Sequence, residues 1–565
     1  FETCSYYFQL SAAAAPAYAV EFRRKGDEAW RRAFEPVVDP STGKIKGSLF
    51  GLAEGSTWEA RVLAGPDVVA QGEFRTWSNH PPIAREVDLS RIEGDLVITD
   101  QGAPDGWIRY TAPPGWVLRP KDPGPEAALV FKGARYVILE GVTIEGGARH
   151  AIQVDDCESV RILNCELSGW GRVGVQRFVN GGELGMYVDA SGAVINQDCG
   201  VHIRKSLRTV VERSYFHDPR GRANSWMFSH PTGPMAILVD HTRGGTVVRW
   251  NDMVGSDEHR WNDVIESARN SAPNGGFHRD SDIVGNFLAF ANDDGTELEG
   301  GGMNVRFLGN KVEGTLCGVS TGPCMQGPQY IVGNLISNPG DESGLALMFF
   351  KNGHGTRQTG RRFYVNNTCY GFQSGAYGAY NSKDSGPRCG FMRNNLFLCN
   401  DRRRPGEWNR TDDFDNDVFW VDRALESSQK YLLRFRTVGQ EPHGAAYDPQ
   451  LAAPEKGDYR LSPGSAARGK SVAVYNLCEA GADLGAGARE LPLRPLALVA
   501  EPRQLNFAGP SAMEVVLTWP AAEKGSLRFQ IRQNRVFDWF KVEPSSGELA
   551  PGGSLKLVVT VDVAR

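Results

Sequence analysis

The sequence predicts an all-β protein in which a long solenoid of stacked β-coils lies between two small β-sandwich modules. Short aliphatic runs that end in Asn return after 24 residues from Asn286 to Asn310 and again from Asn310 to Asn334, an interval typical of stacked coils. Both ends of the chain instead alternate between apolar and polar residues over short stretches, which is typical of antiparallel strands. Glycine occupies 66 of the 565 positions and indicates many tight turns.

The first module is predicted over residues 1–78. Three alternating stretches begin at Tyr18, Gly47 and Gly72, with turn residues between them. The module resembles a fibronectin type III domain, in which a Leu-containing strand, a Gly-Leu turn and a Thr-aromatic strand recur; the matching residues are Leu49, Leu52, Thr57 and Trp58. The resemblance implies a spacer or a wall beside a substrate, and no aromatic row indicates an independent binding site.

Residues 79–490 are predicted to form the solenoid. The aliphatic run with its Asn recurs at Asn164, Asn251, Asn286, Asn310, Asn334, Asn367 and Asn395. A single coil cannot bury its apolar face alone, so the coils must stack. Because an Asn at the same corner of each coil can hydrogen-bond to its copies above and below, we predict a structural role for these residues.

This region resembles the right-handed parallel β-helix of secreted polysaccharide lyases and glycoside hydrolases. Its closing segment has an aromatic-x-Leu-x-Pro-x-Ser run and then an Asp-x-Gly-Ala strand, here Tyr459, Leu461, Pro463, Ser465, Asp483, Gly485 and Ala486. The resemblance implies a right-handed parallel β-helix that degrades a glycan. A start at Phe1 without a charged leader fits a removed signal peptide, so we expect a secreted, periplasmic or cell-surface protein.

The last module is predicted over residues 491–565, where short alternating strands lie between Gly, Pro and Ser turns. Residues 539–562 resemble the BACON-type modules of bacterial carbohydrate-active enzymes, which are immunoglobulin-like sandwiches. The resemblance leaves a spacer and a glycan-binding module both open, and we predict no site there.

Composition excludes several classes of function. The 62 Lys and Arg against 67 Asp and Glu give a net charge of −5, which indicates neither a nucleic acid partner nor an anionic membrane. No apolar run is long enough for a membrane span, and no phosphate loop, Ser-His-Asp signature or HExxH box appears. The ten cysteines lack the paired spacing of a zinc site, and Cys317 and Cys324 either form a local disulfide or stay buried thiols. We expect a monomer without a resident cofactor or metal.

Acidic residues are predicted on the outer face of neighbouring coils. Side chains alternate in and out along a strand, so each outward position forms a row with its copies about 4.8 Å apart. The residues predicted to point inward are Val201, Ile203, Ile237, Val239, Thr296, Leu298 and Val319. The outward set is then His202, Arg204, Asp240, Glu297, Glu299 and Ser320, with Glu266 beside them.

The densest acidic segment carries the catalytic candidates. Its Asp-Asp-Gly-x-Glu-x-x-Gly-Gly sequence begins at Asp293 and is similar to a box of many bacterial β-helix proteins assigned to glycan degradation, which implies the location of an active site. Glycoside hydrolysis needs two carboxyl groups, one as acid and one as nucleophile or base. The candidates are Asp294 and Glu297 first, then Glu266, Asp240 and Glu299. An Asx turn at Asp293 or Asp294 and a solvated acidic face remain as alternative interpretations.

The substrate-binding candidates come from the same acidic strands and from inserted loops. Aromatic faces in loops can stack on sugars, and cations can meet carboxylates or sulfates, so we expect a complex, acidic or sulfated polysaccharide. The candidates are Asp263, Asp293, His202, Arg204, Trp226, His230, Trp261, Lys351 and His354.

Two alternative functions remain open. A polysaccharide lyase would use Arg204, Lys205, Lys351 or Arg357 as its base, and Asp240, Asp293 and Asp294 as oxygen ligands for Ca²⁺. No WIDH or RxPxxR motif of pectate lyases supports it. A non-catalytic glycan-binding or adhesive solenoid is the third function, and the fold alone does not choose among them.

Overall fold

The computed structural model describes most of the chain. The undescribed residues are 10–17, 39–42, 122–123, 178–184, 257, 354–359, 381–388, 402–411, 487–497, 503–504, 506, 508, 522–525, 531–539 and 562–565. The described residues form an all-β protein built on three long parallel sheets of 12, 12 and 10 strands. The parallel β-helix that the sequence predicts is therefore confirmed.

Each coil of the β-helix contributes one strand to each of three sheets, which we name the docking sheet, the third sheet and the site sheet. The docking sheet contains Ile83–Asp88, Trp107–Thr111, Arg135–Glu140, Glu158–Leu163, Val210–Glu212, Val247–Arg249, Arg279–Val284, Met303–Leu308, Gln329–Val332, Arg362–Val365, Gly390–Arg393 and Asp413–Phe414. The third sheet contains Val117–Leu118, Thr143–Glu145, Glu166–Ser168, Tyr215–Phe216, Asp252–Val254, Phe287–Ala289, Lys311–Glu313, Leu335–Ser337, Thr368–Tyr370, Leu396–Cys399, Val418–Val421 and Ala445–Ala446. The site sheet contains Leu96–Ile98, Ala127–Lys132, His150–Asp155, Asp198–Arg204, Pro234–Asp240, Ile265–Ala268, Asp294–Glu297, Cys317–Ser320, Met348–Gly353 and Gly375–Tyr380.

The remaining elements lie outside the three parallel sheets. The strands are Thr3–Gln9, Tyr18–Arg24, Arg31–Arg32, Val37–Val38, Lys44–Phe50, Thr57–Ala64, Asp67–Arg75, Val175–Arg177, Met186–Val188, Leu451–Ala453, Asp458–Leu461, Val499–Glu501, Ser511–Thr518, Leu527–Gln530, Phe540–Glu543, Ser546–Leu549 and Ser554–Val561. They pair in small antiparallel sheets, as the alternating patterns at both ends predict. The helices are the α-helix Leu425–Arg436 and the 3-10 turns Leu89–Arg91 and Pro454–Lys456.

The core of the β-helix is a continuous apolar column enclosed by the three sheets. The residues predicted to point inward from the site sheet are all at most 1% exposed, from Val201 to Val319. The α-helix closes the C-terminal end of this column, because Tyr431 and Phe435 pack on the ring of Phe419. Long Val, Ile and Phe rows inside stacked coils bury most of the apolar surface that stabilises the fold.

The recurrent Asn residues form a hydrogen-bonded ladder at the corner between the docking sheet and the third sheet. The Oδ1 of Asn310 accepts hydrogen bonds from the backbone and side-chain nitrogens of Asn286, both at 2.9 Å. The Nδ2 of Asn310 donates in turn to Asn334 Oδ1 at 3.2 Å. The ladder runs through Asn251, Asn286, Asn310, Asn334, Asn367, Asn395 and Asp417. The predicted structural role is confirmed for these six Asn residues.

Asn164 was expected in this ladder and lies one position before it. The ladder position in that coil is Cys165, whose backbone nitrogen donates to Ser214 Oγ. Asn164 has a φ of 54°, and the matching residue of the next ladder coil, Trp250, has a φ of 57°. The corner therefore requires a left-handed residue before each ladder residue, which explains the Gly-Asn pairs in the sequence.

The N-terminal sandwich packs against the outer face of the docking sheet. Phe34 inserts between Tyr330, Phe363 and Phe391, with ring centroids 5.9, 4.5 and 5.9 Å away. The Thr3 hydroxyl donates to Asp282 at 2.7 Å on the same face. Because the docking sheet faces away from the acidic strands of the site sheet, this contact does not make the sandwich a wall of the candidate site.

The state of the cysteines and the length of the helices bear on whether a local disulfide forms and on a membrane span. All ten cysteines are free thiols, so Cys317 and Cys324 form no disulfide. In the described ranges no helix is long and apolar enough to cross a membrane. The boundary predicted between residues 490 and 491 falls in the undescribed segment 487–497.

Candidate active site

Six carboxyl groups gather on two neighbouring strands of the site sheet and on the residues that flank them. The strands are Ile265–Ala268 and Asp294–Glu297, and Ile265 pairs with Thr296. This register sets Glu266 beside Glu297 and Asp263 beside Asp294. We name the six groups the acid cluster: Asp263, Glu266, Asp293, Asp294, Glu297 and Glu299.

A local irregularity of the strand turns both Asp294 and Glu297 outward. Strict alternation would place residues three positions apart on opposite faces. Instead both intervening residues point inward: a Cβ on Gly295 would lie 2.4 Å from Val312 Cγ1 in the core, and Thr296 is 0% exposed. Only glycine fits at position 295, so this residue makes the pairing of the two acids on one face possible.

Lys351 supplies an ammonium group to the acid cluster. It lies two strands beyond Glu297 on the same outward row, next to Ser320. Its Nζ donates to Asp294 Oδ2 and lies 4.0 Å from Glu299 Oε1. Burial lowers the pKa of Lys351, but the carboxylates of Asp294, Asp293 and Glu299 outweigh that effect and raise it well above its usual range. The lysine is therefore held in its charged form.

Amide and hydroxyl groups hold the two half-buried glutamates and Glu299 in place. Gln197 and Asn262 donate side-chain N–H groups to the two oxygens of Glu266, at 3.4 and 3.1 Å. The backbone nitrogen of Ser267 donates to Glu297 Oε2 at 3.1 Å. Glu299 is buried and accepts from Asn270 Nδ2 at 2.8 Å and from Ser320 Oγ. Each contact orients a carboxyl group without neutralising its charge.

Burial and mutual repulsion raise the pKa values across the acid cluster. Burial raises the pKa of Glu266 to about 7, against the hydrogen bonds from Gln197 and Asn262. Burial also raises the pKa of Asp294 to about 7, although Lys351 opposes the shift. The pKa values of Asp263 and Glu297 rise well above their usual range. Burial is the largest cause of this rise, and repulsion by neighbouring carboxylates is the next. Glu266 and Asp294 therefore exchange protons near neutral pH, the range that acid–base catalysis requires.

The geometry also allows a cation to bind between three of the carboxyl groups. One oxygen each from Asp263, Asp294 and Glu297 lie within 4.8 Å of one another. Carboxylate oxygens are the ligands that Ca²⁺ prefers. Lys351 already neutralises part of this charge through Asp294.

A loop after residue 220 covers one side of the acid cluster. Trp226 is partly buried and packs on an outer apolar patch of Leu316, Cys317, Leu347 and Met348. The ring of His230 lies 4.7 Å from that of Trp226, and His230 Nε2 is 3.7 Å from an oxygen of Asp293. His230 therefore borders the acid cluster with Trp226 beside it, and the role of both residues in substrate binding stays a prediction.

Three candidates of the site sheet lie apart from the acid cluster. The register pairs Asp240 with Ala268 and Arg204 with Asp240, so both lie on a different outward row. Asp240 contacts His241 at 2.7 Å, and Arg204 contacts Asp155 at 2.8 Å. His202 is in the row of Glu266, with Leu238 between them, and burial lowers its pKa to about 4. The catalytic candidate Asp240 therefore lies outside the acid cluster that holds the other four candidates.

Of the loop candidates Trp261 and His354, the first lies in the core and the second is not described. Trp261 is 0% exposed and stacks on Trp170 inside the coil, at 5.9 Å between ring centroids, so the expectation that it binds a sugar is wrong. His354 lies outside the described residues. The Asx-turn interpretation of Asp294 is also wrong, because Asp294 contacts Lys351 and the described residues give its Oδ1 no hydrogen-bond partner.

The sequence did not identify the amide residues that hold the glutamates. Asn262 lies directly before Asp263 and four residues before Glu266, a proximity that could have marked it. Gln197 is 69 residues from Glu266 along the chain, and Asn270 is 29 residues from Glu299. No local pattern connects partners so distant, since coil stacking alone brings them together.

Fold and site together define a parallel β-helix protein with a partly neutralised acid cluster on the outer face of one sheet. No protein-family model matches this chain, and no curated protein matches it either. The function therefore has to be argued from the site.

Proposed function

We propose that this protein is a glycoside hydrolase that cleaves a polysaccharide with Glu266 and Glu297 as its catalytic carboxyl pair. One observation carries the proposal: the two glutamates are half-buried neighbours on adjacent strands, in one outward row of the site sheet. The backbones of adjacent strands lie about 4.8 Å apart. This spacing fits the roughly 5–5.5 Å between the carboxyl groups of retaining enzymes better than the wider gap of inverting enzymes.

The environments of the two glutamates support separate roles. Both oxygens of Glu266 accept amide hydrogen bonds, which favour its ionised form, whereas Glu297 faces Glu299 and Glu266 and has the more strongly raised pKa. Like charges this close do not both ionise near neutral pH, so the pair keeps one proton. We assign that proton to Glu297 as the general acid, and the nucleophile to Glu266.

The reaction then proceeds in two steps. Glu297 gives its proton to the glycosidic oxygen as that bond breaks, while a carboxylate oxygen of Glu266 bonds to the anomeric carbon. In the second step Glu297 accepts a proton from water, whose oxygen replaces Glu266 at the anomeric carbon. Lys351 opposes the rise in the pKa of Asp294 and stays charged throughout.

The geometry gives less support to the lyase. β-Elimination needs an uncharged base, and the carboxylates around Lys351 keep its ammonium group protonated. Arg204 is engaged by Asp155, and Arg357 is outside the described residues. The expected location outside the cell, the monomeric state and the carbohydrate partner remain part of the proposal.

The experiment is a polysaccharide panel incubated with the wild type, Glu266→Gln, Glu297→Gln and the control Glu313→Gln, an acid of the third sheet away from the cluster. We expect new reducing ends without the ultraviolet absorbance of an unsaturated uronate. The rate should fall by about 10²–10⁴-fold in each cluster variant and stay unchanged in the control. Absorbance that disappears with EDTA would establish the lyase, and binding without cleavage of any glycan would establish the non-catalytic function.

A second measurement separates the two roles. Sodium azide can replace a missing carboxylate nucleophile, so it should restore turnover to Glu266→Ala and yield a glycosyl azide of inverted anomeric configuration. The same azide added to Glu297→Ala should yield the azide of retained configuration with an activated leaving group. The opposite pattern would exchange the two roles.

A further inference from the structure

The charge around the acid cluster does not fit the acidic or sulfated substrate expected from the loops. The acid cluster holds six carboxyl groups, and the ammonium group of Lys351 that contacts it is already engaged by Asp294 and Glu299. The other basic candidate on the site sheet, Arg204, is engaged by Asp155. A uronate or sulfate placed here would add a negative charge to buried carboxylates, and like charges at such distances repel.

Two buried oxygens of the site lack a hydrogen-bond donor. Asn262 is 3% exposed, and its Nδ2 donates to Glu266, which directs the amide into the acid cluster. Its Oδ1 has no partner among the described residues, and the same holds for Oδ1 of the fully buried Asp294. Leaving buried acceptors unpaired is costly, so a ligand that completes the site must bring N–H or O–H donors.

We propose that the polysaccharide cleaved at this site contains amino sugars with free ammonium groups, which the acid cluster binds. This inference rests on the proposed function and names its substrate class. An ammonium group carries a positive charge and three N–H donors, so it complements a site of carboxylates and unpaired acceptors. Asp263 and Asp294 are buried behind the two half-buried glutamates, so this pair binds the ammonium group while Glu266 and Glu297 act on the glycosidic bond.

The test compares glucosamine oligosaccharides, their N-acetylated forms of equal length and oligogalacturonates. We expect cleavage of the glucosamine oligosaccharides, with a kcat/KM at least tenfold above that of the N-acetylated forms, the factor expected for one charge-assisted hydrogen bond. Asp263→Asn keeps the acceptor for the Asp294 backbone nitrogen, so the fold is preserved. This variant should lower the ratio of kcat/KM for glucosamine oligosaccharides to kcat/KM for the N-acetylated ones about tenfold.

Binding measurements separate the failure of this inference from the failure of the proposed function. Titration of Glu297→Gln with glucosamine oligosaccharides by calorimetry reports binding without turnover. Binding without cleavage by the wild type would support the amino-sugar inference and contradict the hydrolase. Cleavage of other glycans with no preference for free amines would contradict the inference alone, whereas Ca²⁺-dependent elimination on oligogalacturonates would contradict both the inference and the hydrolase.

Discussion

At the scale of single residues, the acid cluster exchanges stability for chemistry. Folding buries carboxyl groups that water would otherwise solvate, and Lys351 compensates for only part of that charge. Burial of ionisable groups without full pairing destabilises a fold. A parallel β-helix tolerates this cost because its apolar column is long and continuous.

Glu266→Gln should stabilise the protein at high pH. Burial raises the pKa of Glu266 to about 7, so between its usual value and pH 7 the unfolded chain releases a proton that the folded chain keeps. The wild type therefore loses stability as the pH rises through this window, and the loss is complete above pH 7. Thermal unfolding should place the variant above the wild type by about 1–3 kcal/mol at pH 8 and close to it at pH 4.

The control for this prediction is Glu313→Gln, which lies outside the acid cluster and should show no such pH dependence. Equal unfolding temperatures of Glu266→Gln and the wild type at both pH values would show that ionising Glu266 does not reduce the free energy of unfolding. That result would also remove the physical basis for a shared proton in the catalytic pair.

At the scale of elements, the Asn ladder aligns successive coils. Each member satisfies backbone and side-chain groups of its neighbours at a corner closed to solvent, where unpaired amides would be costly. The ladder spans the coils that carry the acid cluster. It therefore helps to set the register that places Glu266 beside Glu297.

Asn310→Ala should destabilise the protein by about 2–4 kcal/mol, because it leaves the buried backbone nitrogen of Asn286 without its acceptor and removes one hydrogen bond from the side chain of each ladder neighbour. Chemical denaturation measures the change. The matched control is Asn164→Gly, outside the ladder at a left-handed position that favours glycine, and it should cost less than about 0.5 kcal/mol. Similar losses of unfolding free energy in both variants would mean that the hydrogen bonds of the ladder contribute nothing specific to stability.

At the scale of the whole molecule, the N-terminal sandwich and the β-helix share an apolar interface. Phe34 and Phe50 of the sandwich are buried against Tyr330 and Phe363 of the docking sheet. Arg306 of the same sheet donates to Ser5 at 2.9 Å and to Ser48 at 3.0 Å. An interface of this composition couples the unfolding of the two parts.

Phe34→Ala should separate that coupled unfolding into two transitions in differential scanning calorimetry. Removing a buried ring costs about 3–5 kcal/mol, and here the loss falls on the interface. The sandwich should then melt first and become sensitive to protease, while the proposed glycan cleavage at the site sheet persists. As a control, Val69→Ala removes an exposed side chain and should keep a single transition. A single transition in Phe34→Ala would show that the interface does not couple the two parts.

Much of the architecture was predictable from the sequence. The Gly-Asn pairs from Gly285 to Asn334 repeat because each coil needs a left-handed residue and then a ladder residue, and both requirements are local. Strand alternation in the segment at Asp293 likewise predicts an outward Glu297 between inward Thr296 and Leu298, whereas the outward turn of Asp294 depends on the irregularity at Gly295. Only position 164 was misplaced, by one residue, because Cys165 replaces Asn in that coil.

Tertiary structure alone decided which of these residues meet. Glu266 and Glu297 come together through the register of two strands 31 residues apart, and Gln197 reaches Glu266 across a long insertion. Trp261 has the sequence context of a loop and nevertheless lies in the core, since its coil turns it inward. Local spacing indicates which face of a strand a side chain takes. Contacts between coils depend instead on the strand register that remains after the inserted loops and on how much charge folding buries. The charge balance behind the proposed ammonium substrate therefore emerges only in the folded protein.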